Sequence, residues 1–356
     1  MKTGAETVVA RIHTDAQSIL AEWHSLAERV GTVFSSRPGF VSNVVDATAL
    51  ACEYVEIRRE DRLVALAALS KFKRGPFTLA KVVGTGLGVP LEILSDDAEA
   101  SDALLRAIAD QGYMLSADSM IANDLTVQRL LRHSSWNVHA PIRESVPVVE
   151  LGPGQKASSI RSAKSLKRLR QYRRGATAFE FEMVTGVEHL ESRWADIERV
   201  AASAVERSGR VNYLVPPHGE FAKNFLRCEA RAGTLCVVGL VIDGVWSAHE
   251  VGLRTGNRME GWLTHYDASV GRLQPGHQMI EWFADHHDEL AVRWLDQGVG
   301  VNRIKTTWAN TGYDVLRLSA VPSAWVMSGT MLRILYTAPQ VLSSVGRAAA
   351  RAKPRR

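Results

Sequence analysis

The chain has 356 residues, of which 46% are hydrophobic and 23% charged. A domain usually takes about 150 residues, so this length predicts two domains. The apolar content excludes an intrinsically disordered chain, because such chains bury too little apolar surface to offset the entropy of ordering. The formal net charge of +5 lies mainly in two short segments, residues 161–174 and 347–356. Two local patches argue against nucleic acid as a partner, since a nucleic-acid-binding fold carries its basic charge along one surface.

The 3 cysteines of the chain show no C-x-x-C spacing. An odd number without that spacing argues against a disulfide framework and against a structural zinc site. The first residues lack the apolar core of a signal peptide, and the apolar run at 318–332 is too short to cross a bilayer. We therefore expect a cytoplasmic protein. A basic tail after an apolar segment is also typical of peripheral contact with the inner membrane face, although a solvated terminus gives the same pattern.

The first half of the chain has the pattern of a mixed α/β domain. Apolar residues at helical spacing predict its helices, and apolar runs bounded by polar turns predict its strands. In chain order the predicted elements are a helix at 15–30, a hairpin of strands 54–57 and 63–66, a strand at 77–83, a helix at 98–111, a strand at 113–117, a helix at 125–132 and a strand at 146–151.

The second half begins after a Leu-Gly-Pro-Gly linker at 151–154, which is a strong breaker signal. Asp-Gly and Gly-Asn turns separate three of its strands. In chain order the predicted elements are a basic helix at 162–174, a strand at 179–184, helices at 188–207 and 217–232, strands at 234–242, 245–254 and 258–267, a helix at 277–290, a strand at 292–296, a short helix at 304–311 and a strand at 313–318.

The two halves repeat a similar order of elements. We therefore expect an α/β fold with a mixed sheet, built from two domains in tandem. The predicted boundaries are 1–152 for the first domain and 155–320 for the second, with an apolar segment and basic tail at 321–356.

The most informative stretch runs from residue 261 to residue 308. A strand there feeds a glycine-containing loop and then the start of a helix, where free N–H groups and the positive end of the helix dipole can bind a pyrophosphate. Pro275 fixes the entry to that helix, and Gly276 lets the backbone approach an anion. The spacing matches neither a Walker motif nor G-x-G-x-x-G, so a Pro-Gly turn that only begins a helix is the alternative.

An ordered set of four short motifs runs through this stretch: Tyr266-Asp267, Pro275-Gly276, Asp-Gln-Gly-Val-Gly at 296–300 and Lys-Thr-Thr-Trp at 305–308. With the basic run at 161–174 and Trp194, this set resembles the GNAT superfamily of N-acetyltransferases. The branch it resembles is that of the cellulose-biosynthesis-associated CelD/BcsL-type acyltransferases. Their relatives are the Fem-type peptidyltransferases, which carry two GNAT-like domains in tandem. The resemblance covers about residues 155–310 and is looser before them.

The resemblance implies tandem GNAT-like domains, the C-terminal one better defined, and a donor that is acetyl-CoA or another acyl-CoA. The donor-binding residues that it implies, around the pyrophosphate, are Gly271, Gln274, Pro275, Gly276 and His277. The substrate-binding residues that it implies are Asp296, Lys305 and Trp308. The usual GNAT phosphate loop has more glycine than this one and begins with Arg or Gln. In this chain Gln274 takes the place of that first residue.

Acyl transfer to an amine or hydroxyl needs a base and donors for the developing oxyanion. Glu250 lies on a central strand between apolar neighbours, where a carboxyl pKa rises; it is either the base or an outward-facing carboxylate. Tyr266 either protonates the departing thiolate or packs. Asp267 either faces the thioester or caps the loop that follows. Asp296 either binds the acceptor or orients Lys305, which is otherwise a solvated helix charge.

Histidines also occur in this half, but they do not have the spacing of metal ligands. His249, His265 and His277 alternate with apolar residues, and no H-E-x-x-H motif joins them to a carboxylate. We therefore expect no metal.

The leading prediction is a GNAT-type N- or O-acyltransferase. The resemblance implies that its acceptor is a small molecule or a cell-envelope polysaccharide precursor. One alternative is a Fem-like transferase that uses aminoacyl-tRNA, which the basic helix would suit. The other is a non-catalytic binding protein with a degenerate GNAT core.

Overall fold

The computed structural model describes residues 8–74, 77–208, 212–216 and 218–325. Within these residues fourteen strands form one continuous sheet. The strands are β1 Val8–His13, β2 Cys52–Arg59, β3 Arg62–Arg74, β4 Phe77–Val82, β5 Leu94–Ser95, β6 Tyr113–Ile121, β7 Trp136–His139, β8 Ile142–Glu150, β9 Phe179–Val184, β10 Leu235–Ile242, β11 Val245–Thr255, β12 Arg258–Tyr266, β13 Trp294–Asp296 and β14 Thr311–Pro322. The α-helices are α1 Leu20–Val30, α2 Pro38–Thr48, α3 Ala98–Asp110, α4 Leu125–Leu130, α5 Ala157–Ile160, α6 Ala163–Tyr172, α7 Val187–Ser208, α8 Gly219–Arg231, α9 Pro275–His286 and α10 Arg303–Trp308.

The two halves of the chain exchange their last strands at the centre of this sheet. The spatial order is β1-β2-β3-β4-β6-β14-β8-β13-β12-β11-β10-β9. In each half an antiparallel run ends in a parallel pair, β4 with β6 and β12 with β13. Strand β8 of the first half then pairs with β13 of the second, and β14 of the second pairs with β6 of the first. Because β8 and β14 also pair with each other, the sheet runs unbroken from one half to the other.

The predicted α/β fold with a mixed sheet and two repeated halves is confirmed. Five elements were not predicted, namely β1, α2, β5, β7 and α5. Helix α2 contains glycine and three valines, which are weak helix formers, and it forms because Phe40, Val41 and Val44 are buried. The predicted domain boundary stays a prediction, and residues 326–356 of the predicted tail lie outside the described residues. In the described part of the chain, no helix has both the length and the apolar character that a membrane span requires.

The two halves also share an aromatic core. Phe34 and Phe40 of the first half pack against Phe225 on α8, with ring centroids 5.8 and 5.3 Å apart. Trp262 on β12 contacts Phe34 and Phe225 at 5.9 and 5.3 Å. Large aromatic side chains dominate the energetics of cores, so these contacts stabilise the halves against separation.

Helix α6 is fixed against α9 by a buried carboxylate. Glu281 on α9 is 2% exposed and accepts from Arg170 Nε at 3.0 Å and from an Arg173 terminal nitrogen at 2.5 Å. Gln278, one turn earlier on α9, accepts from Arg173 Nε at 2.8 Å and donates to the Leu169 carbonyl at 3.0 Å. A buried carboxylate needs paired charge and hydrogen bonds, so these contacts determine where α6 lies.

Candidate active site

An opening separates β12 from β13 beyond their parallel pairing. The pairing covers residues 258–260 of β12 and 294–296 of β13. Strand β12 then continues to Tyr266, while the chain after β13 enters a loop. The register of β12 against β11 shifts at Trp262, which marks a β-bulge. Beyond residue 260, the edge of β12 that faced β13 has no strand partner in the described part of the chain. Backbone groups on such an edge can bind an extended ligand.

The opening leads into a cavity of about 650 Å³, called here the main cavity. Its walls come from β11, β12, the end of α7, the start of α9, α10 and the loop before α10. Of the predicted site residues, it brings together Glu250, Tyr266, Gly276 and Lys305. Its other walls include Asn212, Trp262, Thr264, His265, Gln297, Asn302 and Ile304.

Glu250 reaches the main cavity from the middle of β11. Its carboxylate lies against Gly261 of β12, where a Cβ would come within 2.5 Å of Glu250 Oε1. Burial raises the pKa of Glu250 to about 7, and the positive charge of Lys305 opposes part of this rise. A carboxyl group with a pKa near 7 can act as a general base at neutral pH.

Lys305 is held by the loop between β13 and α10. Its Nζ donates to the carbonyls of Gly298 and Val299 at 3.0 and 3.1 Å. The loop is held in turn by Glu144, whose Oε2 accepts from the Gly300 N–H at 2.9 Å. Glu144 lies on β8, so the strand contributed by the first half shapes the site in the second.

Asp296 lies buried beneath the same loop. Its Oδ1 accepts from the Gly298 N–H at 2.8 Å, and its Oδ2 accepts from the Tyr313 hydroxyl at 2.7 Å. Burial raises the pKa of Tyr313 well above its usual value, so this phenol remains a donor. Both carboxylate oxygens thus help to hold the loop, and the predicted contact of Asp296 with an acceptor stays a prediction. Its effect on Lys305 is indirect, through Gly298.

Tyr266 and Asp267 end β12 and make different contacts. Tyr266 lines the main cavity, and its ring lies beside Gly271, where a Cβ would be 3.6 Å from Tyr266 Cε2. Asp267 Oδ1 accepts from the N–H and the hydroxyl of Ser269 at 2.9 and 2.7 Å. These hydrogen bonds lower the pKa of Asp267, which makes it a weak base. Asp267 therefore makes the predicted capping contact, and its role at the thioester stays a prediction.

Gln274, His277 and Trp308 lie outside the main cavity. They line a second cavity of about 460 Å³ between α6, the start of α9 and α10, called here the arginine cleft. Its other lining residues are Arg161, Ser165, Leu166, Arg168, Leu169, Tyr172, Arg303, Ile304 and Thr307. Trp308 Nε1 donates to His277 Nδ1 at 2.9 Å. Burial and the charges of Arg161 and Arg303 lower the pKa of His277, so its ring is neutral at pH 7 and can accept this bond.

The start of α9 forms the boundary between the two cavities. Gln274 has a left-handed backbone with φ of 56° and precedes the buried Pro275. No side chain caps this helix, and proline has no N–H, so Gly276 carries the first backbone donor. A Cβ at Gly276 would lie 3.2 Å from Cδ1 of Ile304, which lines both cavities.

Comparison with known proteins agrees with this geometry. Residues 161–306 match the family model of the acetyltransferase (GNAT) domain. The second half contains a GNAT-fold acetyltransferase domain. The predicted resemblance to the GNAT superfamily is confirmed at this level, while the CelD/BcsL branch stays a prediction. A comparison with curated proteins finds no match.

Solved structures resemble the chain across both of its halves. FemX aligns over 88% of this chain and 97% of its own, with a TM-score of 0.64 and 10% identity. The C-terminal domain of a putative lysylphosphatidylglycerol synthetase from Agrobacterium fabrum aligns over 89% of this chain and 98% of its own, with a TM-score of 0.57 and 12% identity. At such low identity these likenesses show the fold alone.

In the first half, the gap that corresponds to the opening between β12 and β13 is filled by another segment of the chain. Strands β4 and β6 pair in parallel over residues 78–81 and 113–116. Beyond this pairing, Leu91 forms a parallel bridge to Met120, and its N–H donates to the Ser119 carbonyl at 2.9 Å. The place beside β6 is thereby occupied, whereas the corresponding place beside β12 in the GNAT domain is open.

Sequence reasoning missed five polar side chains of the main cavity: Asn212, Trp262, Thr264, Gln297 and Asn302. Gln297 lies inside the Asp-Gln-Gly-Val-Gly motif but was not singled out. The others belong to no recognisable motif, and Asn212 comes from a loop distant in sequence. The one available signal was Gly261, because a glycine inside a strand pattern indicates a bulge or a close backbone approach. Both occur there.

Two of the histidines, the buried His249 and the half-buried His265, form a hydrogen-bonded pair. His249 Nε2 and His265 Nδ1 are 3.1 Å apart. Burial lowers the pKa of His265 to about 4 and that of His249 well below its usual value, so both are neutral at pH 7. Among the described residues, no group of three or more His, Cys, Asp or Glu side chains is placed to hold a metal ion.

Proposed function

We propose that the GNAT domain transfers an acetyl or longer acyl group from acyl-CoA to an amine or hydroxyl. The proposal depends on the position of Glu250, a carboxyl group with a pKa of about 7 that lines a cavity beside the open edge of β12. The edge offers backbone partners to the amides of a pantetheine arm. The carboxylate offers a base next to them. The family match supports an acyl-CoA donor.

The proposed reaction follows from these positions. The acceptor nitrogen or oxygen attacks the thioester carbonyl carbon, and its proton passes to Glu250. The carbon–sulfur bond then breaks, the acyl group stays on the acceptor, and the coenzyme leaves as a thiolate. Tyr266 lines the same cavity and is proposed to give that thiolate its proton. Backbone N–H groups of β12 and the nearby Lys305 ammonium stabilise the developing oxyanion.

We further propose that the start of α9 binds the donor pyrophosphate. The uncapped helix end favours an anion, and Gly276 leaves the approach free of a side chain. Gln274 lies at the same end and faces the arginine cleft. Gly271 and Pro275 act through backbone shape, since Gly271 lies beside the Tyr266 ring and Pro275 sets the entry of the helix.

The acceptor is proposed to be a small molecule or a glycan precursor of the cell envelope, as the CelD/BcsL resemblance implies. The polar, mostly uncharged walls given by Asn212, Gln297 and Asn302 support a hydroxylated or amide-bearing acceptor. A cytoplasmic location, with peripheral contact at the inner membrane face, belongs to the same proposal.

The direct test measures thiol release from acetyl-CoA and longer acyl-CoA in the presence of candidate acceptors, together with thermal stabilisation by CoA. We expect wild type to release thiol and Glu250→Gln to lose the activity while it still binds CoA. Gly276→Glu should lose CoA stabilisation, because it places a carboxylate at the pyrophosphate position. If no CoA derivative shifts the melting temperature, the proposal is wrong.

The exposed face of α6 supports one second candidate, a Fem-like transferase that uses aminoacyl-tRNA. Lys164, Lys167 and Arg174 make no ion pair with any described residue, and such a face attracts polyanions. Retention of charged tRNA that falls steeply with salt, without CoA binding, would favour this candidate.

A further inference from the structure

The arginine cleft concentrates positive charge without compensation. Its lining holds three arginines and no acidic residue. Arg161 donates to the Thr307 carbonyl at 2.7 Å and lies 5.7 Å from the Trp308 ring centroid. The side chains of Arg168 and Arg303 are exposed and have no hydrogen-bond or ion-pair partner within the described ranges. A concave site with this charge attracts a ligand that carries several negative charges.

Building on the proposed function, we propose that the arginine cleft binds the 3′-phosphoadenosine diphosphate end of CoA and that Arg168 reads the 3′-phosphate. A cavity of about 460 Å³ falls in the size range of small-ligand pockets. Tyr172 in the same lining offers an aromatic surface of the kind on which a base stacks.

The three arginines divide into two positions. Arg161 and Arg303 both act on His277, which is the third residue of α9, so they lie near the proposed pyrophosphate position. Arg168 lies on α6 and is not among the charges that act on His277. A nucleotide held at the start of α9 therefore meets a separate positive charge on α6, as a second phosphate group requires.

The cleft also connects to the proposed site of reaction. Ile304 lines both cavities, and Gly276 lies against it at their boundary. A pantetheine arm can pass this glycine from the nucleotide end to the open edge of β12. A side chain larger than glycine at that position would meet Ile304.

The test compares the affinities of CoA, dephospho-CoA and adenosine 3′,5′-bisphosphate by titration calorimetry on the full chain. We expect wild type to bind CoA tighter than dephospho-CoA by about tenfold or more, as for loss of charge-assisted hydrogen bonds. Arg168→Gln should abolish this preference, whereas Arg303→Gln should weaken both ligands. Lys164→Gln removes the same charge from the exposed face of α6, outside the cleft, and should change neither.

The outcomes separate this inference from the proposed function. Equal affinity of wild type for CoA and dephospho-CoA, or an unchanged preference in Arg168→Gln, overturns the inference and leaves the acyl-CoA proposal standing. Failure of every CoA derivative to bind overturns both. Melting temperatures of the unliganded variants check folding, and we expect no change because Arg168 and Arg303 have no partners in the described structure.

Discussion

A carboxyl group on a central strand, with apolar neighbours on its own strand, resists ionisation because burial removes water from its charged form. Glu250, which lines the main cavity, shows this effect. Burial raises its pKa to about 7, whereas the pKa of Asp267 is lowered, mainly by its hydrogen bonds to Ser269. Environment, rather than residue type, thus shifts the pKa values of the two carboxyl groups in opposite directions.

This difference predicts the pH dependence of the reaction. Glu250 accepts a proton only when it is ionised, so we expect kcat/KM to rise as the pH increases through about 7 and then to level off. Glu250→Gln should lower the rate by about 10²- to 10⁴-fold and remove the step. Initial rates of thiol release across the pH range check this.

His265 provides the contrast for that measurement. It lines the same cavity, but burial lowers its pKa to about 4, so its titration lies well below the expected step. A step near pH 7 that persists in Glu250→Gln would assign the base to another group.

Gly261 gives a second prediction at this scale. An added Cβ would come within 2.5 Å of Glu250 Oε1, so Gly261→Ala must displace the carboxylate. Misplacement by about 1 Å can cost on the order of 10²-fold in rate, and we expect kcat to fall by about that factor. Gly186→Ala is the matched control, because a Cβ there would meet nothing within 4 Å and the residue lines neither cavity. Equal kcat values for the two variants would contradict the placement of Glu250.

At the scale of elements, α6 and α9 together build the arginine cleft. Their relative position depends on Glu281, which is 2% exposed, and on two arginines whose side chains are 56% and 32% exposed. The sequence shows the basic run of α6 but not which of its charges are used. Arg170 and Arg173 turn inward to Glu281, whereas Arg168 remains available to a ligand.

Because Glu281 is buried and its two arginine partners are partly exposed, we expect removal of the carboxylate and removal of the arginines to lower stability by different amounts. Glu281→Gln keeps the side-chain shape and leaves two arginines that water can reach, so we expect a loss of roughly 1–3 kcal/mol. The double variant Arg170→Ala and Arg173→Ala leaves the buried carboxylate without compensation and should lose more, about 3–5 kcal/mol. Urea unfolding of the full chain measures both.

Arg174→Ala serves as the control for that comparison. Arg174 is exposed and has no ion-pair partner in the described part of the chain, so its loss should stay within about 0.5 kcal/mol. A double variant as stable as Arg174→Ala would show that the Glu281 contacts do not fix α6.

Local patterns predicted most elements of the second half and singled out four residues that line the main cavity, Glu250, Tyr266, Gly276 and Lys305. Strand β9 was predicted with its observed bounds, because Phe179–Val184 alternates and is bounded by polar residues. The sequence pattern did not show which contacts Asp267 and Asp296 make. Asp267 accepts hydrogen bonds from Ser269, and Asp296 accepts them from Gly298 and Tyr313. The strand exchange could not be predicted either, because periodicity gives a strand its faces but not its neighbours.

At the scale of the molecule, the exchange makes each half incomplete alone. Strand β14 pairs with β6, β7 and β8, all from the first half. Strand β8 pairs with β13 and β14, both from the second. The linker at 151–154 therefore separates the two halves in the sequence, but the sheet is continuous across both halves.

This arrangement predicts how fragments behave. Residues 155–325 alone would expose the unpaired edges of β13 and β14, and we expect no cooperative thermal unfolding and no CoA binding from this fragment. Production together with residues 8–152 should restore both, because each fragment supplies the strand that the other lacks. Circular dichroism and calorimetry check the outcome, and a fragment 155–325 that folds and binds CoA alone would contradict it.

The gap beside β6 is closed, and the corresponding gap beside β12 is open. The two halves are therefore not symmetric at these positions. Two separate copies that exchanged their last strands would form a homodimer, and its symmetry would make both ligand positions identical. Joining the copies in one chain removes that constraint. One position is then free to close around Leu91, and the other can keep its opening. The molecule therefore has the strand order of a symmetric pair, while only one of the two corresponding positions is open.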